Sequence, residues 1–353
     1  MTVVKLLKYV LLAGICFTVM NLSLKTAVQT PIGGSTAPQT RDGKWNDNKK
    51  AASMGSVNYK EEMISLIEEI SVYAKAKNRS FQVFGNNGLD LFRAEEVGTA
   101  SVQRLLSSVD GVIMEGFFYG WEMQDDRRTP SSVRNKLLGA LAVPIDRRLP
   151  ILNIDYCQDR HNVDRAYQAG DQQAFVNFAA DSRQLDRIPQ YPLPLNRENS
   201  ADVRNLQQVK NFLVLFNPDQ FPTKQGYLDS LRDTNYDLII IDMYYQGEAL
   251  SAGEVASLKV KKNGAARLVF SYMSVGEAED YRGYWQKSWS KSPPAWVAEQ
   301  NPDWPGNFKV KYWAADWKRI LFGAPGAYLD MILDKGFDGA FLDVIDAFEY
   351  FEG

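Results

Sequence analysis

The stretch "VDGVIMEG" (109–116) returns near the end of the chain as "FDGAFLDV" (337–344). Each is a short apolar run that opens with Asp-Gly and ends in a carboxylate, Glu115 in one and Asp343 in the other. A third run, "YDLIIIDM" (236–243), drops the glycine but keeps an acid, Asp242, five residues after Asp237. Near-continuous apolar runs of this length are what strands buried on both faces require.

Five further runs of the same kind are "FQVFG" (81–85), "LPILNIDY" (149–156), "FVNFAAD" (175–181), "NFLVLF" (211–216) and "RLVFSYMS" (267–274). Helical segments separate them. The first, "YKEEMISLIEEISVYAKAK" (59–77), places Met63, Leu66, Ile67, Ile70 and Tyr73 at helical spacing, so the domain opens on a helix. Ser251 and Glu254 make a capping box for "SAGEVASLKVKKNG", with Gly264 as its expected stop. "PGAYLDMILDKG" is expected to start at Pro325 and end at Gly336. Eight strands alternating with helices is the count of an α/β (β/α)8 TIM barrel. An open doubly wound sheet would carry a Gly-rich phosphate loop after its first strand, and the sequence has none.

Residues of a barrel strand alternate between the interior and the helix layer. A charge at a strand's C-terminal tip belongs at the mouth, which puts Gly111, Ile113 and Glu115 inside, and likewise Gly339, Phe341 and Asp343. The echoing strands are each one strand apart, so their acids can ring the C-terminal mouth, where active sites of such barrels lie. Asp181 is the expected fourth member. Asp110 and Asp338, at the opposite strand ends, read as structural residues.

Composition narrows the chemistry. The 353 residues carry a net charge of −3, and residues 1–30 hold three lysines and no acid, so the rest is more acidic still. A mildly acidic body argues against nucleic acid, which needs a clustered basic surface. Residues 1–30 read as a secretory signal or an uncleaved N-terminal anchor, with Lys5 and Lys8 ahead of an apolar stretch. Residues 31–58, rich in Gly, Pro, Ser, Thr, Asn and Lys, read as a linker, and 59–353 as the barrel. The expected location is secreted or periplasmic, with an inner-membrane tether as the alternative. Of two cysteines, Cys16 lies in the signal and Cys157 stands alone, so no disulfide framework is expected. The single histidine, His161, argues against a His-rich metal site and a Ser-His-Asp triad. No cofactor and no metal are expected.

Six of eight tryptophans fall between 285 and 317: Trp285, Trp289, Trp296, Trp304, Trp313 and Trp317. The segment is too long for a simple connection and reads as an insertion over the mouth. Trp313 and Trp317, four apart, read as anchors of a helix on the barrel; such packing is expected for about half of the six rings, and the rest suit a saccharide cleft. Trp285, Trp304, Tyr272 and Tyr119 are the expected substrate-binding aromatics.

In "SYMSVGEAEDYRGYW" (271–285), "NPDWPGNFKVKYW" (301–313) and "GFDGAFLDVIDAFEYF" (336–351) the chain resembles glycoside hydrolase family 114, TIM-barrel endo-α-1,4-polygalactosaminidases and their relatives. The resemblance continues in "FGNNGLDLF" (84–92), "VDGVIMEGFFYGW" (109–121) and "ILNIDYCQD" (151–159). It implies a catalytic pair at Asp343 and Glu115, and pocket residues at Asp242, Glu277, Asn87 and Asp155. Glu277 is equally readable as a structural partner of Arg282. Segments like "NFLVLF" ordinarily open this family, and segments like "VDGVIMEG" close it. The order here implies a circular permutation, with the second half of the barrel at 59–192, a join at 193–210 and the first half at 211–353.

The resulting expectation is a monomeric glycosidase cutting an amino-sugar polysaccharide with two carboxylates. Glu115, followed by Phe117, Phe118 and Tyr119, is expected as acid/base and Asp343 as its ionised partner, with the swap left open. The rival is a non-catalytic polysaccharide-binding barrel; a metal-dependent deacetylase is disfavoured by the lone histidine.

Overall fold

Residues 59–77 form the helix their spacing predicts. Helix α1 (Tyr59–Lys77) is capped by Asn58, carries Glu61 and Glu62 in its first turn and Lys75 and Lys77 in its last, and buries Met63, Leu66, Ile67 and Ile70. The structure, a computed structural model, describes residues 57–352; the expected signal or anchor and nearly all of the expected linker lie outside them. No helix among the described residues is long and apolar enough to cross a membrane.

All eight predicted strands form. They are β1 (Gln82–Asn86), β2 (Gly111–Glu115), β3 (Ile151–Tyr156), β4 (Val176–Ala180), β5 (Phe212–Leu215), β6 (Leu238–Ile241), β7 (Leu268–Ser274) and β8 (Gly339–Asp343). They make one parallel sheet in the order β4-β3-β2-β1-β8-β7-β6-β5. The first and last strands of the chain are therefore neighbours, with Gln82 opposite Gly339 and Phe84 opposite Phe341. The sheet is a nearly closed barrel. Its seam, between β4 and β5, is bridged by the rings of Phe178 and Phe212, 5.6 Å apart.

Helices α2 (Thr99–Ser108), α3 (Ser131–Asp146) and α4 (Arg160–Gln173) follow β1 to β3. Helices α5 (Lys224–Arg232) and α6 (Ala252–Leu258) follow β5 and β6, while α7 (Ala315–Leu321) and α8 (Tyr328–Asp334) lie between β7 and β8. Helix α1 packs between α2 and α8, the place a helix following β8 would take. The β4–β5 connection has no α-helix. It runs across the N-terminal end of the barrel, burying Val203, Leu206 and Val209, and Leu206 N donates to Gln82 Oε1.

The register is the expected one. Phe84 contacts Phe341 and Phe270, and Phe341 contacts Tyr272 and Phe216, so the even-spaced set ending in Asp343 fills the interior. The Asp-Gly pair now has a cause. A Cβ on Gly339 would lie 2.4 Å from the Phe270 ring and from Gln82 O, so only glycine fits beside those strands. The preceding aspartate stitches its strand to the neighbour. Asp110 accepts from Val83 N and pairs with Lys75; Asp338 accepts from Val269 N and pairs with Lys259; Asp237 accepts from Lys210 N and pairs with Lys261.

Two helix boundaries differ from expectation. The capping box forms, but α6 ends at Leu258 instead of running to Gly264. Leaving the helix there lets Lys259 and Lys261 reach Asp338 and Asp237, while Gly264 takes a left-handed turn at φ +91°. Helix α8 starts at Tyr328, with Ala327 rather than Pro325 at its boundary, because Gly326 is left-handed.

Lys261 and Asp237 are both fully buried, and removing one partner of such a pair strands the other charge. Asp237→Asn should lower the unfolding free energy by about 3–5 kcal/mol, measured by urea titration. Asp110→Asn, whose Lys75 partner is 30% exposed, should cost about 1 kcal/mol or less. Equal losses would show that burial is not what separates the two pairs.

Candidate active site

Three adjacent strands deliver one polar cluster to the C-terminal mouth. Asn86, Glu115 and Asp343 are the last residues of β1, β2 and β8. Each is followed at once by a left-handed residue: Asn87 at φ 60°, Gly116 at φ 68° and Val344 at φ 60°. For the β-branched Val344 this conformation is costly, and it turns the chain sharply behind Asp343.

Asn86 stands between the acids because β1 separates β2 from β8. Its Nδ2 donates to Glu115 Oε1 at 2.8 Å and to Asp343 Oδ1 at 3.1 Å. Its own Oδ1 is buried and has no partner among the described residues, leaving an acceptor free for a ligand's hydroxyl or amine. The Tyr156 hydroxyl donates to Glu115 Oε2. The Arg183 guanidinium lies 4.2 Å over the Tyr156 ring and is itself fixed by Asp125 and Gly120 O.

Burial raises the pKa of both carboxyls, since charge is poorly solvated there. For Glu115 the rise is opposed by Tyr156, Asn86 and the field of Arg183. Asp343 is pushed up to about 7, by burial first and then by the Glu115 charge, against the pull of Asn86, Tyr272 and the Val344 backbone. Two further acids on the same segment join the mouth. Asp346 is raised well above its ordinary value by burial and by Glu349 and Asp343, and Glu349 rises to about 7 through burial and Asp90. The spacing 343, 346, 349 was visible in the sequence, but a strand reading of "FDGAFLDV" stops short of it.

The other expected residues fall into distinct places. Tyr272 lies inside the barrel beside Phe341 and favours the charged form of Asp343. Asn87 Oδ1 accepts from Glu115 N and so holds the tip of β2. Asp242 is bound by Arg282, which also grips Glu279 and sits among Tyr244, Tyr272, Tyr281 and Tyr328. Arg282's partners are thus Glu279 and Asp242, not Glu277. Glu277 is held by Asn301, Asn307 and Lys309.

Asp155 lies behind the mouth. Glu115 pairs with Ile154, so alternation turns Asp155 to the helix face, where it accepts from Phe118 N, Tyr119 N and Asn177 Nδ2. It shapes the loop after β2 and does not open onto the acid pair. Asp181 lies beside Asp186 and Arg187 at the seam, apart from that pair.

The tryptophans form a packed core for the insertion. Its three antiparallel strands are 277–279, 307–310 and 297–300. Trp285, Trp289, Trp296 and Trp317 make a continuous chain of ring contacts, and Trp285 stacks on Phe308 at 4.7 Å. Trp296 and Trp304 are buried, so Trp304 offers no open face for a sugar. A three-stranded sheet of short strands has too little backbone pairing to stand alone, and the indole rings supply its interior.

Residues 208–353 match the family described as glycoside-hydrolase family GH114. An uncharacterized protein of Methanocaldococcus jannaschii is 36% identical over 178 residues, 50% of this chain and 49% of that one. An uncharacterized protein of Thermotoga maritima is 40% identical over 121 residues, 34% of this chain and 36% of the relative. The chain spans about a third to a half of the length of these curated relatives. The family expected from the sequence is borne out over the matched segment.

A carboxyl whose pKa is raised on folding holds its proton more tightly in the folded chain. For Asp343, at about 7 against an ordinary 3.8, the stabilisation is complete below about pH 4 and is lost as pH climbs through 7. Asp343→Asn removes that titration. The stability of the wild type relative to this variant should fall by on the order of a few kcal/mol between about pH 4 and 7 and level off above. Parallel pH curves would assign the titration elsewhere.

Proposed function

With residues 208–353 belonging to glycoside hydrolase family GH114, we propose that the protein hydrolyses glycosidic bonds in an amino-sugar polysaccharide, an α-1,4-linked galactosaminan, using Glu115 and Asp343. The observation that carries this reading is the shared Asn86 amide, which holds two buried carboxyls side by side at the barrel mouth. Two oxygens that each lie within 3.1 Å of one nitrogen are less than about 6 Å apart, which favours the ~5 Å spacing of retaining enzymes over the wider inverting one.

The electrostatics favour the swapped roles. Glu115, with Tyr156 and Asn86 donating to it and Arg183 nearby, is the better placed to stay ionised; Asp343, beside that charge, is the better placed to keep the proton. Glu115 then attacks the anomeric carbon while Asp343 protonates the departing oxygen. The C–O bond breaks and a glycosyl–Glu115 ester forms. Asp343, now a carboxylate, takes a proton from water, and the hydroxide equivalent displaces Glu115 and restores both groups. Asp346 and Glu349 are held toward their protonated forms by burial and by neighbouring acids, and a protonated amino group on a de-N-acetylated chain would relieve that and draw them toward the ionised form.

The same reading makes the protein a secreted or periplasm-facing monomer, released or tethered by residues 1–30, with no nucleic acid partner and no cofactor. It also takes the chain as a permuted family member joined at 193–210. The pairing of β1 with β8 and the β4–β5 connection, which has no α-helix, support that order.

Glu115→Gln and Asp343→Asn keep shape but remove the ionisable group, and each should cost at least ~10²-fold in kcat on deacetylated galactosaminan. Wild-type kcat/KM should fall as pH rises past about 7, where Asp343 loses its proton. NMR of the first product should show the α-anomer. An active Asp343→Asn enzyme, or a β-anomer as first product, would overturn this mechanism.

A further inference from the structure

A cavity of about 280 Å³ lies on the flank of the barrel, away from Asn86, Glu115 and Asp343. Arg134 lines it from α3, Arg165, Gln168 and Gln172 from α4, and Tyr119 and Arg128 from the loop after β2. Positions 165, 168 and 172 share one face of a helix, so α4 offers three polar side chains with Ala169 between them. The loop wall is held in place from behind, since Asp155 fixes the Tyr119 amide and Tyr119 bridges to Arg128.

Three arginines thus line one concavity. The carboxylates around it are already engaged. Glu122 pairs with Arg127, Asp125 with Arg183 and Asp171 with Arg197; Asp159 caps α4, and Asp164 accepts from Tyr191. Among the described residues no ion pair includes Arg128, Arg134 or Arg165. Arg134 Nη2 reaches only Ser131 Oγ, at 3.2 Å, and its buried Nε has no partner. A buried guanidinium N–H without an acceptor is a cost that a bound acceptor removes. On a chain whose net charge is −3, such a concentration of unpaired positive charge is not a general surface property.

We propose that this cavity is a binding site for a small anionic sugar, gripped through its carboxylate or phosphate. Arg134, with Arg128 and Arg165, takes the oxyanion, for which the planar guanidinium offers paired donors. Gln168 and Gln172 meet hydroxyl groups as donors and acceptors, and the Tyr119 side supplies the apolar wall. The volume suits a monosaccharide unit. The site is separate from the acid pair, so it stands or falls independently of any hydrolytic activity.

Calorimetry on the full chain tests it, with glucuronate, glucose 6-phosphate and inorganic phosphate as probes at low and at physiological salt. At least one anionic sugar should bind with a stoichiometry of one, more weakly as salt rises; which of the two sugars binds identifies the oxyanion. Arg134→Gln and Arg165→Gln should each weaken that binding at least ~10-fold, and Arg134→Lys less than Arg134→Gln. Arg127→Gln, which removes a neighbouring but already paired arginine, should leave it unchanged. Should Arg134→Gln fail to fold, Arg165→Gln, exposed on α4, reads the same site. No binding of either sugar, binding by phosphate alone, wild-type affinity in the glutamine variants, or an equal loss in Arg127→Gln would each overturn the proposal.

Discussion

The pairing of β1 with β8 is the contact on which the rest of the molecule depends. It joins residues 257 apart in the chain, Asn86 and Asp343, and it closes the run of strands that would otherwise be two separate half-sheets. Without it Asn86 would not stand between Glu115 and Asp343, α1 would have no bed between α2 and α8, and the interior stack of Phe84 on Phe270 and Phe341 would be open. So distant a contact is entropically expensive to form. The structure secures it with side-chain fit: Gly339 leaves room for the Gln82 carbonyl of β1, and Phe84 meets Phe341 edge-on across the pair, while Asp338 and Asp110 tie β8 to β7 and β2 to β1 on either side.

The two ends of the barrel use the same residue type for opposite purposes. At the N-terminal end each aspartate meets a backbone amide and a lysine, so its charge is matched and it serves cohesion. At the mouth Glu115 and Asp343 share the Asn86 amide and meet the hydroxyls of Tyr156 and Tyr272, and burial raises the pKa of both. A carboxyl pair kept this way costs folding energy and gains a proton that can be moved near neutral pH. The conformational strain at Val344 lies at the same place, one residue past Asp343.

The mouth is also where tertiary context redirected several side chains. Arg282 gathers Asp242 and Glu279 among four tyrosine rings, while Glu277 turns to Asn301, Asn307 and Lys309. Two residues of separation in a short strand are enough to assign Glu277 and Glu279 different partners, since which one meets the arginine depends on how the insertion folds back. The tryptophans follow the same logic. A polar-looking loop segment with many indoles can present them or bury them, and here Trp296, Trp304 and Trp317 are buried while Trp285, Trp289 and Trp313 are half-buried against other rings.

Strand number, strand type, the inward register of Glu115 and Asp343, and the structural role of Asp110 and Asp338 were all legible in the sequence. Each rests on local periodicity and on the rule that a buried charge must lie at a strand end. The exact extent of α1 was equally legible, because cap, charge bias and apolar spacing agree. Asn86, Tyr156, Arg183 and Asp346 were not. An amide one residue away from the expected Asn87 becomes central only because β1 lands between β2 and β8, and Arg183 acts through a tyrosine on another strand. The outward turn of Asp155 depends likewise on the β2–β3 register. Periodicity along one strand says which faces are apolar; which side chains meet across strands is decided by sheet order and closure, and those exist only in the folded chain.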